Sequence, residues 1–498
     1  MLKVANIFTD NMVLQRDKNI SVWGLDDKDR RVTVTLNGVT VSASAGADNK
    51  WICTLPPMPA GGEYEMTVKD DFNSFTFKGV MIGEVWLCGG QSNMELELQN
   101  EVHGREVLES LDESCNVRFY YTQKRGYIDE MFYADEANTC WAKAGKESSK
   151  AWSAVGFYFA RKLSRELGVT VGLIGCNWGG TSASAWVDRK TLESNAAIRS
   201  YIDEYDEKCS GKPLDVQLKE YREYEDYDAK WYQKSLEVYK EQPDIGWDEL
   251  QEKIGKNLWP GPMCEFNPFR PTGLFNTMLM RVCPYTIKGF LYYQGESDDH
   301  KPDSYYELLT ALIRLWREKW GDDELPFIMT QLPMFKYKKD PDYKHWSKIR
   351  AAQMRAFRTV KNTGIAVILD CGELDNIHPV DKVPVGERLC LQAMKLFYGL
   401  DVKAFGPMYK SHIFKDGGIE LCFDYAQEGF TIKGEAAGFE IAGSDGEFFT
   451  ADVKIDGSRI FISSDKVAEP KHARYNYFNY ADVTIFNETG IPMAPFDF

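Results

Sequence analysis

The sequence has no apolar run approaching the ~18 residues of a membrane-spanning helix. Low-complexity tracts, CxxC pairs and runs of Lys or Arg interleaved with aromatics are also missing. Basic residues are in the minority, 59 against 75 acidic, for a net charge of −16. That leaves little to neutralise phosphates and excludes a nucleic-acid partner. The eleven cysteines are scattered from Cys53 to Cys422 without metal-ligand spacing, so they read as mostly buried, reduced thiols, and neither a metal nor a cofactor is expected. The opening "MLKVANIFTDNMVLQRDK" lacks a charged region followed by an apolar stretch and a small-residue cleavage site. A cytoplasmic protein is expected on that ground, with a trimmed leader as the alternative. The sequence carries nothing on oligomeric state.

What is present is a chain of 498 residues, too long for one core, with two changes of pattern along it. Residues 1–80 alternate apolar and polar positions, as in "VTVTLNGVTVSASA" around Asn37-Gly38, which predicts a β-sandwich domain. Residues 81–400 carry short, nearly continuous apolar runs ("EVWLC", "VTVGLIGCNW", "IKGFLYYQ", "PFIMTQLP", "GIAVILDCG") separated by helical stretches. Strands buried on both faces and alternating with helices predict an α/β fold with a parallel sheet. An interruption at about 190–270 reads as a helical insertion, with Leu218, Tyr221, Tyr224 and Trp231 at helical spacing. Packing of that stripe onto the sheet domain is expected, and a sugar-stacking wall is the alternative. Residues 401–498 return to strand patterns and predict a C-terminal β domain.

Ser92 stands in "EVWLCGGQSNME", where an apolar run ends in two glycines. A serine hydroxyl attacks only if a base takes its proton and donors hold the oxyanion. There are six histidines, and His378 alone follows a buried run and has a carboxylate, Asp375, three residues earlier. Pro379 keeps His378 out of the α region, so it belongs to a loop at a strand end. Two further strand-end loops could supply oxyanion donors: glycines in "IGCNWGGTSASAW", whose backbone N–H groups can approach a carbonyl, and the Gln294 amide in "FLYYQGESD". A plain loop serine remains the alternative. The GxSxG elbow is absent, because Met94 stands two positions after Ser92.

"GEVWLCGGQSNME", "NWGGTSASAW", "YYQGESD" and "NIHPVDKVPVGERL", in this order, resemble the four blocks of the sialate O-acetylesterase-like branch of the SGNH hydrolases. "IFTDNMVLQRDKNISVWG" and "ARYNYFNYADVTIFNETGIPMAPF" are similar to that group's terminal β regions. The resemblance implies a three-layer α/β/α core flanked by β-sandwich-like domains. It also implies Ser92 as nucleophile, His378 as general base, and an oxyanion hole from the N–H of Ser92 with Gly180 and Gln294. The orienting acid is Asp375 on the superfamily's wider spacing, with Glu373 or a dyad leaning on a backbone carbonyl as alternatives.

The expected activity is removal of acetyl groups from sugar hydroxyls through a serine acyl-enzyme, with Glu296 and Trp178 beside the sugar. Acetylated sialic acids are the first substrate class and acetylated xylan or xyloglucan oligosaccharides the second. Three other readings stay open: a non-catalytic carbohydrate-binding protein, a peptidase and a long-chain lipase.

Overall fold

The computed structural model describes residues 1–498 apart from Glu113, Asp244, Lys339 and Asp340. It divides into two units: Met1–Thr122 with Asn138–Ala183 and Val282–Phe498, and Gln123–Ala137 with Ser184–Arg281.

The first unit is organised around one strand, Ser74–Gly90, 17 residues long. Its outer part pairs antiparallel with Gly61–Lys69 and parallel with Val13–Gln15. Its inner part is flanked by two parallel neighbours, Val171–Asn177 and Gly289–Tyr293. Val117–Tyr121 extends the sheet on one side, and Phe327–Gln331 and Thr363–Val367 extend it on the other, all parallel. The chain therefore leaves the first strand in one direction and later returns to fill the opposite side. The carboxyl end of Ser74–Gly90 lies where the strand order reverses, the place at which open parallel sheets bind ligands. The parallel sheet predicted for 81–400 is present, with the short antiparallel strand Ala142–Lys143 at one edge.

Alternate residues of this sheet meet different helices, as the period of a pleated strand requires. Trp86 packs edge-on to Phe159 of the helix Ala154–Leu167 at 5.3 Å between ring centroids. Tyr292, paired across the ladder with Gly89, meets Trp316 of the helix Tyr305–Trp320 at 5.8 Å. Helices on both faces give the three-layer core expected of the SGNH fold. The helix Ala154–Leu167 starts at Ser153, whose hydroxyl accepts from the Gly156 N–H at 3.0 Å and satisfies one of the donors left open at a helix start.

The N-terminal residues form two sheets. One is Lys3–Val4, Ile20–Leu25 and Lys50–Leu55; the other joins Arg31–Leu36, Val39–Ser44 and Gly61–Lys69 to the outer part of the long strand. Val22, Val32, Val34, Cys53, Leu55 and Val68 are buried. The boundary expected near residue 80 falls within one continuous strand, and the division into 1–80, 81–400 and 401–498 stands as a proposal. The C-terminal residues carry a core of their own, with Ile419, Leu421, Ile441, Ile460, Tyr475 and Phe496 among its members.

The second unit is helical, built on Ser200–Cys209, Leu214–Glu241 and Trp247–Ile254. Trp231, Val238 and Leu250 form its own small core, and the Trp231 indole donates to the Gly255 carbonyl at 2.7 Å. The expected aromatic stripe is thus partly internal to this unit, because Tyr221 and Trp231 are buried there. The unit also includes residues 123–137, which sequence periodicity did not connect to it; Arg281 pairs with Glu136, and Arg270 donates to the Gly126 carbonyl at 3.0 Å.

All eleven cysteines are free. No helix among the described residues is long and apolar enough to cross a membrane.

Candidate active site

Gly90 closes the long strand at φ 135, and a Cβ there would lie 2.1 Å from the Tyr293 carbonyl oxygen. Only glycine lets the chain pass so close to the neighbouring strand while turning out of the sheet. The turn is fixed by the Gln91 N–H donating to the same Tyr293 carbonyl at 3.1 Å, and the short helix Ser92–Glu95 begins at once. Ser92 is therefore the first residue of a helix, where backbone N–H groups have no intrahelical acceptor.

His378 reaches this serine across 286 residues of chain, with Nε2 2.8 Å from Ser92 Oγ. For Nε2 to accept the hydroxyl proton, the neutral ring carries its proton on Nδ1. The backbone of the loop is held by the His378 N–H donating to Asn376 Oδ1 at 3.0 Å. His378 is exposed on one side, and partial desolvation by the protein around it lowers its pKa below the ordinary imidazole value of 6.5, with the charge of Lys382 adding to this and Glu95 opposing it. A neutral base at pH 7 follows. Two thiols close by do not compete as nucleophiles: burial pushes Cys88 strongly up and Cys176 up to about 12.

The structure does not bring Asp375 to the imidazole. Its backbone is left-handed, at φ 72, and its carboxylate accepts from the Lys338 N–H at 3.3 Å instead. Glu373 is also engaged elsewhere, accepting from the Val380 N–H at 3.0 Å and from the Asn376 amide at 2.9 Å. Among the described residues no acceptor is hydrogen-bonded to His378 Nδ1.

Of the two glycines after Trp178, the structure places Gly179 against Ser92. A Cβ on Gly179 would stand 3.1 Å from Ser92 Cβ, and its N–H donates to Glu95 Oε2 at 2.5 Å. Gly180 turns at φ 75. Neither its N–H nor that of Ser92 has a hydrogen-bond partner among the described residues. Trp178 is half-buried, its N–H donating to the Gly90 carbonyl at 3.1 Å.

Gln294 departs from the expected role of oxyanion donor. Its amide nitrogen is buried and donates to Asp298 Oδ2 at 2.6 Å, Gln91 Oε1 at 3.2 Å and the Thr181 carbonyl at 3.3 Å, while Oε1 accepts from Tyr305 at 2.9 Å. Both amide protons thus have internal acceptors, and the side chain ties the loops after three strands together.

Glu296, expected beside the sugar, is buried as well. Its Oε1 accepts from Asn93 Nδ2 at 2.6 Å, its Oε2 has no partner among the described residues, and burial raises its pKa. Asn93 Nδ2 donates also to the Ile377 carbonyl at 2.9 Å, and Asn93 Oδ1 accepts from Lys382 Nζ at 2.6 Å. Lys382 is fully buried, which lowers its pKa to about 8. Sequence reasoning missed Asn93 and Lys382; the signals available were an amide directly after the nucleophile and a lysine four residues after the base.

Glu101, His103 and Asp381 bring ligand atoms within 4.8 Å of one another. The Glu101 carboxylate is already occupied, accepting from the Tyr158 hydroxyl at 2.7 Å, the His103 N–H at 2.8 Å and the Lys382 N–H at 3.3 Å. Ser92, Gly180 and His378 stand on three different loops, those that follow the strands Ser74–Gly90, Val171–Asn177 and Thr363–Val367.

The chain is similar to known carbohydrate esterases. A family model described as carbohydrate esterase, sialic acid-specific acetylesterase, matches residues 263–394. Sialate O-acetylesterase of Mus musculus is 27% identical over 458 residues, covering 85% of this chain and 79% of the mouse protein. That of Homo sapiens is 28% identical over 441 residues, covering 82% and 73%. A solved carbohydrate acetylesterase from Xanthomonas citri superposes with a TM-score of 0.79 at 27% identity, over 100% of this chain and 99% of that one.

Proposed function

We propose that this chain, a carbohydrate esterase of the sialate O-acetylesterase-like branch, removes acetyl groups from sugar hydroxyls by a two-step reaction on Ser92. The observation that carries the reading is the 2.8 Å contact between His378 Nε2 and Ser92 Oγ at the switch point of a parallel sheet.

Ser92 Oγ attacks the acetyl carbonyl as His378 Nε2 takes its proton. The tetrahedral oxyanion is assigned to the N–H groups of Ser92 and Gly180, neither of which has a backbone acceptor among the described residues. Donors fixed before the reaction starts need no rearrangement as the charge develops. His378 then returns the proton to the departing sugar oxygen, leaving acetate esterified to Ser92. A water molecule deprotonated by the same imidazole releases acetate and restores the serine. The pair works as a dyad in which the loop, rather than Asp375 or Glu373, orients the ring. Gln294 acts from below, holding Gln91 and the 181–183 turn in register. Glu296 is assigned a structural place, and Trp178 stays the candidate for contact with the sugar.

Acetylated sialic acids are the proposed substrates. The support is the agreement of the family description and the mammalian relatives on that sugar. The test is acetate release from O-acetylated sialic acids and from acetylated xylo-oligosaccharides side by side, with wild type and Ser92→Ala. Release from the sialic acids alone, lost in the variant, is expected. Release from the xylo-oligosaccharides alone would move the assignment to plant-type oligomers, and an unaffected variant would end the Ser92 mechanism.

A further inference from the structure

Beneath the Ser92–His378 pair, one amide side chain joins the neighbours of both reacting residues. Asn93 follows the nucleophile directly, and its Nδ2 donates at 2.9 Å to the carbonyl of Ile377, which directly precedes the base. The second Nδ2 proton goes to Glu296 Oε1 at 2.6 Å, and Oδ1 accepts from Lys382 Nζ at 2.6 Å. The amide is thus fully used and its orientation has one solution, oxygen toward the ammonium and nitrogen toward the carboxylate. Asn93 and Lys382 show 0% exposure and Glu296 5%.

Three features set this apart from ordinary packing. A buried cation and carboxylate joined through an amide are no more stabilising than apolar side chains of the same volume, so stability alone does not account for them. Charge at both ends shortens and strengthens the bonds of the amide between them, which makes it a stiff spacer. The two loops it joins are the ones whose relative position sets the Oγ to Nε2 distance, and neither Asp375 nor Glu373 reaches the ring to do so.

We propose that Asn93, clamped between Lys382 and Glu296, is the positioning residue that sets the Ser92–His378 geometry, in the orienting role a third carboxylate plays in a Ser-His-Asp triad. The proposal rests on the Ser92 mechanism above. The clamp also has an electrostatic side. His378 is faced by Lys382, from the start of the helix Val383–Phe397, and by Glu95, from the helix Ser92–Glu95. Lys382 in turn is faced by Glu296, Cys371, Glu373 and Asp381, and its N–H by Glu101. The Lys382 cation opposes protonation of His378, so the base stays neutral to lower pH while the clamp is charged.

The experiment measures 4-nitrophenyl acetate hydrolysis across pH for the full chain and the variants Ser92→Ala, Asn93→Asp and Lys382→Met. Asn93→Asp keeps the size and the acceptor for Lys382 but removes the donor that reaches Ile377. A small misplacement of reacting groups costs about 10²-fold in rate, so kcat is expected to fall by that order with KM little changed. A residue that only fills space would leave kcat in place. In Lys382→Met the cation is gone and the His378 pKa rises, so the acid limb of kcat/KM moves to higher pH. Loss of charge balance at Glu296 acts in the same direction or, if that carboxyl protonates, not at all. Wild-type kcat in Asn93→Asp together with an unmoved acid limb in Lys382→Met, while Ser92→Ala is dead, overturns the proposal and leaves the mechanism standing. An active Ser92→Ala overturns the mechanism itself. Should Asn93→Asp not fold, kcat of Lys382→Met decides: Lys382 holds the Asn93 oxygen, so a fall in kcat above the acid limb with KM little changed supports the clamp, and a wild-type kcat there overturns it.

Discussion

Around Ser92 the polar side chains are buried and interlocked, whereas the helices of 184–281 carry most of theirs on the surface, with Gln217 and Ser235 among the exceptions. Asn93, Lys382, Gln294 and Asp298 lie at or below 1% exposure and bond one another or the loops they stand on. In the helical unit Arg189 pairs with Glu193 at 2.6 Å and with Asp206, all close to half exposed. Trp247 and Trp259 show more than half of their surface, at 54% and 55%. A buried polar group without its partner is costly, so each bond in the first region narrows the conformations open to its neighbours. The exposed pairs of the second exchange with water and constrain little. Geometry is therefore fixed where bonds must be made and broken, and left loose where helices need only stay folded.

The sharpest way to test that contrast is Ser92→Ala, which removes the reacting atom from the interlocked region without removing a packing group. Acetate release is expected to drop by about 10⁴-fold or more, with unfolding stability within about 0.5 kcal/mol of wild type. Trp231→Ala probes the other side. It empties the small core of the helical unit and deletes the bond to Gly255, so a local loss of about 3–5 kcal/mol is expected. Hydrogen exchange across 214–254 measures it, and hydrolysis of a small acetyl ester should be unchanged. If that hydrolysis collapsed, the contrast between the two regions would be wrong.

Next in size is the pH dependence. Partial desolvation and Lys382 hold His378 below 6.5, so the base is lost only as pH falls through that lowered value. The acid limb of kcat/KM is expected on the acid side of an unperturbed imidazole, and a midpoint above 6.5 would contradict the geometry. The smallest effect is Arg189→Ala, which breaks two exposed pairs. Less than about 1 kcal/mol is expected, shrinking further with added salt in thermal melts.

Much of this was legible in the sequence because the relevant signals were apolar. The runs before Ser92, Trp178, Gln294 and His378 are buried strands, and their order placed four loops at one end of a parallel sheet. Ser92 and His378 stood out as the serine and histidine at those ends, and the structure sets them 2.8 Å apart. What the sequence hid was set by backbone geometry or by partners far along the chain. Asp375 has the right spacing, yet its left-handed backbone turns the carboxylate to Lys338. Gln294 has the right donor group, but Asp298 of its own loop and two acceptors from other loops, Gln91 and Thr181, already hold it. Residues 123–137 carry no periodicity that would assign them to helices some sixty residues away; the bonds of Arg270 and Arg281 do so.

The 286 residues between Ser92 and His378 also have a meaning in time. A ribosome adding about 5–20 residues per second needs roughly 15–60 s to cover that distance. Through that interval Ser92 has been made and His378 has not, so the proposed pair cannot form. The strand Ser74–Gly90 waits as well, since one of its parallel neighbours, Gly289–Tyr293, has not been synthesised when it first appears. An unpaired apolar strand invites pairing with other chains. The nascent protein is expected to draw on chaperones most heavily between the synthesis of Gly90 and that of Tyr293.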